Sequence, residues 1–292
     1  MSHEIHVLAR SGDAVDERAL IDAFAMAGWQ APPDASGLVY ANPNTGARAS
    51  IEPLTIESLP RGFRHLELGL VLNYVRPSWL GDETIPAFAA ALAGAGALVL
   101  DPQSGAPAPV APDAVSLTAS WRTGNEAAIA AARAAGGDIP WLEPTRSLAW
   151  WRHQRALPRL QMAFAADHYV PSIRLVKQTG DEHVLRMMSW PDHVPALLPD
   201  CDQIVLMRSS PTSGFTILGV APGELVRARL EGVAEQLGPE IDGVRDTVRV
   251  GPGLESTVAD RLASVALEPF EGFESVAPDG FVDVPPSAAR DG

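Results

Sequence analysis

The chain has 292 residues, 46% of them apolar and 20% charged, and a formal net charge of −14. That length and apolar content exclude a disordered chain and allow two domains of ordinary size, each with its own core. The acidity disfavours nucleic acid and anionic membrane surfaces as partners, since both carry the same sign, and no apolar run is long enough to span a bilayer.

The opening MSHEIHVLAR lacks the apolar core of a secretory signal and reads as a strand. In AVDERALIDAFAMAGW, Val15, Leu20, Phe24 and Ala27 recur at helical spacing, and Gly28 marks the expected stop. GLVYANPNTGARASIEPL predicts a hairpin around the turn-forming NPNTG. FRHLELGLVLNYV is a strand, DETIPAFAAALAGAG a helix with acids in its first turn, and ALVLD a closing strand ending at Asp101. The order β-α-β-β-β-α-β over residues 1–103 predicts an α+β domain, ferredoxin-like in the broad sense.

SGAPAPVAPD, residues 104–113, has the composition of a semi-rigid linker and is the expected domain boundary. A second α+β domain is expected over 114–268, so that the chain forms two α/β-sandwich-like domains with mixed or antiparallel sheets. AVSLTASW alternates like a strand, NEAAIAAARAAGG is an Ala-rich helix, and TRSLAWWRHQRAL is a helix that Pro158 should end. VPSIRLVKQTGDEHVLRMMSW predicts a hairpin turning at Thr179–Gly180–Asp181. Leu175 would then lie opposite Leu185 and Ile173 opposite Met187, with Arg174 and Arg186 together on the other face. QIVLMR, which continues a meander if it pairs next to the second strand of the hairpin, and GFTILGV are further strands. PGELVRARLEGVAEQL and LESTVADRLASVAL read as amphipathic helices. The acidic Phe- and Pro-bearing tail, 269–292, either docks in a partner's groove or lies as a strap on its own domain.

Several chemistries lack their motifs: there is no P-loop or dinucleotide glycine loop, no His-Glu-x-x-His, no Cys-x-x-Cys and no Gly-x-Ser-x-Gly. The single cysteine, Cys201, fits a reducing cytosol; set between Asp200 and Asp202, its thiolate is disfavoured, so it is a poor nucleophile. Arginine so dominates the basic residues that Lys177 is the only lysine, which together with the Ala and Pro content suggests a bacterial coding bias.

One constellation could carry metal chemistry. ADHYVP enters the 170–190 hairpin and WPDHVP leaves it, so His168, His193, Asp192 and Asp167 should approach one another, with Asp202 joining them if QIVLMR continues a meander. A divalent metal is the cofactor such a set would take; no other cofactor is expected. WWRHQ (Trp150, Trp151, His153) reads as packing. Arg76 and Trp79 in NYVRPSWLGDE, and Trp190, have the residue types of a partner-binding hot spot.

The expected function is that of a non-catalytic, cytoplasmic bacterial protein that binds another protein, as accessory or toxin-neutralising proteins do, with its acidity steering in a basic partner. A metal-dependent hydrolase working at the mouth of the 170–190 hairpin is the alternative, and an assembly subunit held by its tail is a third.

Overall fold

Residues 1–32, 37–210, 212, 214–237 and 246–286 are described by the computed structural model, with the side chain of Glu17 set aside. The last six residues of the expected tail, 287–292, lie outside these. The fold is α+β, with antiparallel and mixed sheets, and the chain divides into two units. The first comprises Met1–Ile139 with Val282–Val284, and the second Pro140–Phe281 with the residues from Pro285 onward.

The first unit runs β1 (Ser2–Arg10), α1 (Glu17–Met26), β2 (Trp29–Gln30), β3 (Leu38–Ala41), β4 (Arg48–Glu52), β5 (Phe63–Asn73), α2 (Trp79–Gly94), β6 (Leu98–Leu100) and α3 (Ala114–Ala134). Its six strands form one antiparallel sheet in the order β2-β3-β4-β5-β1-β6. Asp16 caps α1 by accepting from the backbone N–H groups of Arg18 and Ala19. The helix buries Leu20 and Phe24, and Phe24 stacks on Phe88 of α2 with ring centroids 5.9 Å apart. The carboxylate of Glu83 is buried beneath the β3–β4 hairpin. Tyr40, Asn42 and Thr45 all donate to its Oε1, at 3.1, 2.6 and 3.1 Å.

The segment 104–113 belongs to this unit, which ends at Ile139: Val99 and Val110 exchange both backbone hydrogen bonds at 2.9 Å. AVSLTASW is helix rather than strand. Asp113 caps it by accepting from Ser116 N–H, and Leu117, Thr118, Trp121, Asn125, Ala128 and Ile129 are buried at helical spacing, which the short alternation of Val115, Leu117, Ala119 and Trp121 conceals. Close packing fixes one glycine: a Cβ on Gly81 of α2 would stand 2.7 Å from the Trp121 ring.

The second unit runs α4 (Pro144–Phe164), β7 (Arg174–Gln178), β8 (Val184–Pro191), β9 (Ala196–Leu198), β10 (Gln203–Ser210), β11 (Gly214–Pro222), α5 (Gly223–Arg229), β12 (Glu235–Gln236), β13 (Val248–Val250), α6 (Glu255–Leu262) and β14 (Phe273–Ser275). Its larger sheet has the order β11-β10-β8-β7-β14, and a smaller one the order β12-β13-β9. Helix α4 passes through Pro158, because Leu157 and Leu160 on either side are held in a core with Ala156, Val170 and Leu197. Helix α5 is shorter than its amphipathic pattern, ending at Arg229 shortly before Gly232, whose φ is +77°.

Two strand relationships depart from expectation. The hairpin pairs Leu175 with Arg186 and Arg174 with Met187, one residue out of the expected register. Its connection is longer than a tight turn because Thr179 N–H is held by Gly272 O at 2.8 Å and His183 bridges to Trp141. Strand β10 does lie beside β8, but parallel to it, so Asp202 falls next to Arg186 instead of at the hairpin mouth. The described part of the tail is folded onto its own chain: β14 pairs with β7, and Phe281, Val282 and Asp283 are buried.

Candidate functional site

The one-residue register difference decides what each face of the larger sheet carries. Residues paired across an antiparallel ladder share a face, so Leu175 goes with Arg186, and Arg174 with Met187. On the first face Met188, Trp190, Ile204, Leu206 and Ala221 pack against Val226 of α5 and Val258 and Leu262 of α6. On the second, Val176, Met187, Val205 and Val220 form a smaller apolar patch with Leu185, Met207 and Phe273 around it. None of the described residues that line the two cavities on this second face is helical.

Two adjoining cavities of about 270 Å³ each open on the second face, and Arg174, Ser189 and Met207 belong to both. Tyr169, Ser172, Pro191 and Phe215 complete one cavity. The other is mainly apolar, walled by Val176, Met187, Val205, Ile217, Phe270 and Phe273. At the rim Phe215, Ile217 and Phe270 keep 53%, 42% and 41% of their surface exposed, far more than apolar side chains that belong to a core. Phe270 stacks on Phe273 with ring centroids 5.7 Å apart. Among the described residues neither lining contains an Asp or a Glu, and the side chain of exposed Arg174 makes no hydrogen bond or ion pair. Burial pushes the Tyr169 hydroxyl above its ordinary pKa, against the opposing charge of Arg174.

The entrance and exit of the β7–β8 hairpin do meet. Tyr169 N–H donates to Pro195 O at 2.7 Å and Leu197 N–H to Tyr169 O at 3.0 Å. His168 and Asp167 line a cavity of about 510 Å³ with Gln161, Val194 and Pro195. His193 is absent from that lining; its ring stands edge-on to Trp190, centroids 5.6 Å apart. Asp192 is occupied by Ser209, accepting from its N–H at 2.8 Å and from its hydroxyl, bonds that hold the carboxyl below its usual range. Asp192 and His193 both have positive φ, +48° and +53°, and form a tight turn closed by Val194 N–H to Pro191 O at 3.0 Å. Among the described residues no group of three or more His, Cys, Asp or Glu is gathered as a metal site.

Asp202 and Asp200 serve a different partner. Arg186, 2% exposed, donates to Asp202 Oδ1 at 3.0 Å and to Asp200 Oδ2 at 2.9 Å, while its backbone N–H reaches Asp202 Oδ2 at 2.7 Å. Burial opposes the Arg186 charge, but these carboxylates outweigh it and raise its pKa. Between them Cys201 is buried, its thiol pushed up to about 12, first by burial and then by the two aspartates.

The residues expected to bind a partner are placed differently from one another. Trp79 and Trp190 are 1% and 0% exposed, and Trp190 donates its indole N–H to Val194 O at 2.9 Å, so neither ring presents surface. Arg76 is half-buried, its guanidinium on Val75 O at 3.2 Å. Trp150, Trp151 and His153 are buried along α4, as their packing pattern implies. Sequence reasoning missed the open face. Its one local signal is Phe215, Ile217 and Leu218 in GFTILGV, where apolar residues occupy both faces of a strand end that stays exposed.

Comparison with protein-family models, curated proteins and solved structures yields no match.

Proposed function

We propose that the protein is a non-catalytic binding protein that holds another protein on the open face of the larger sheet in its second unit. The observation that carries this is the exposed rim of Phe215, Ile217 and Phe270 above the apolar floor of Met187, Val205 and Phe273. Large apolar side chains are kept in water at one place when something covers them there. The net charge of −14 supports long-range attraction of a partner that is basic overall. A bacterial cytosol suits a chain with one buried thiol.

The test is affinity capture from the native host with the wild-type chain and with a Phe215→Asp, Ile217→Asp double variant. Both sites are exposed, so the variant should keep the wild-type circular dichroism and melting temperature. A partner held by the wild type, released by salt and lost by the variant supports the proposal. The same proteins recovered by both would refute it.

A further inference from the structure

The open face is largely apolar, and among the described residues that line its two cavities Arg174 is the one charged side chain. We infer that the segment docking there carries a carboxylate between apolar side chains, and that Arg174 receives it; this rests on the proposed use of the face as the docking site.

Three observations converge. Arg174 lines both cavities, one of which is bounded by Phe215 and the other by Ile217, Phe270 and Phe273. Among the described residues neither lining contains an acid, although the chain has 36 acidic residues against 22 basic ones. Ser172 and Ser189 line the same cavity as Arg174 and add hydroxyl groups to it.

A wholly apolar segment pressed onto this face would strip water from Arg174 and leave it unpaired, whereas a carboxylate takes the forked N–H groups in charge-assisted hydrogen bonds. A Lys or Arg opposite would be repelled. The chain's overall negative charge does not reverse this, because exposed charges farther away than about 8 Å are largely screened at physiological salt. On an extended segment alternate side chains share a face, roughly 6.6 Å apart. The matching pattern is therefore apolar-x-acid-x-apolar.

The probes are acetyl-Phe-Ser-Glu-Ser-Phe-amide and its Gln counterpart, titrated calorimetrically into the full chain, its Arg174→Met variant and the Phe215→Ser, Ile217→Ser double variant. The Glu peptide should bind one per chain, roughly tenfold tighter than the Gln peptide. Arg174→Met should erase that preference, and the double variant should weaken both peptides. Equal binding of the two peptides by the wild type, a preference that survives Arg174→Met, or no binding of either overturns the inference. If Phe215 and Ile217 still decide which partner is captured, the docking face stands without it; if they do not, both fall.

Discussion

Arg174 and Arg186 stand on opposite faces of one hairpin, Arg174 paired with Met187 on the open side and Arg186 with Leu175 on the closed side. The same residue type thus has two fates within twelve positions of sequence. One is exposed in a groove whose described lining holds no acid, and the other is buried with two carboxylates.

The buried arginine gives the first prediction. Removing Asp202 leaves buried Arg186 with only the half-exposed Asp200, so Asp202→Ala should destabilise the second unit, by less than the roughly 3–5 kcal/mol of a fully orphaned buried charge. Replacing both ends, Arg186→Met with Asp202→Leu, should be milder than Asp202→Ala alone, because the remaining Asp200 and Arg146 are each about half exposed and return to water. Urea unfolding of the single and double variants measures the difference. A double variant less stable than Asp202→Ala would show that the pair contributes net stability beyond compensating its own burial.

The fold class was legible in the apolar periodicities, since most strands and helices carry the period of their own structure. What failed was relational. Nothing local to VKQTGDEHV shows that Thr179 is held by Gly272, so a tight turn was the natural reading and the register slipped by one. Parallel pairing of β8 with β10 needs a crossover connection, here the segment 192–202 that places β9 in the smaller sheet, which a meander rule misses. The meeting of the segments around His168 and Val194 was readable, because antiparallel strands bring their ends together. Ring direction was not: His193 turned to Trp190 and Asp192 to Ser209. Trp79 and Trp190 have the composition of a hot spot and the burial of a core. The open face draws Phe270 and Phe273 from far along the chain, so no window of sequence contains it.

A second prediction concerns pH. His6 of β1 and His65 of β5 stand edge to face, centroids 5.3 Å apart, and burial lowers the pKa of both below 6.5, with His6 adding to the effect on His65. Burial lowers His153 as well. A folded-state pKa below the unfolded value means that stability is complete above about pH 6.5 and is lost as pH falls from there toward the folded pKa. Melting temperature should therefore decline between pH 7 and pH 5, and His6→Gln with His65→Gln should flatten that decline. A slope unchanged by the double variant would assign the acid sensitivity elsewhere.

Cys201 should be chemically silent in the native protein. A thiol buried under α5 with its pKa near 12 offers almost no thiolate at pH 8. Native protein should release no chromophore from a disulfide reagent such as dithionitrobenzoate, while guanidinium-unfolded protein should react once per chain. Rapid native labelling would mean that the segment around Asp200 and Asp202 opens readily.

The described end of the tail contributes stability to the first unit. Asp283 accepts from Ser78 N–H at 2.8 Å and from its hydroxyl at 2.6 Å, placing a carboxylate at the N-terminus of α2, where the helix dipole favours negative charge. Ser78 makes no side-chain cap of its own, so a residue remote in sequence supplies what a local Asp or Asn otherwise would. Arg133 of α3 donates to Val284 O at 2.7 Å beside it. Asp283→Ala should cost about 1–2 kcal/mol in urea unfolding. Truncation after Phe281 should cost more, because it also removes buried Val282 and the Arg133 bond. A truncated chain as stable as the full one would show that these contacts are not maintained in solution, and would free the tail to act on a partner.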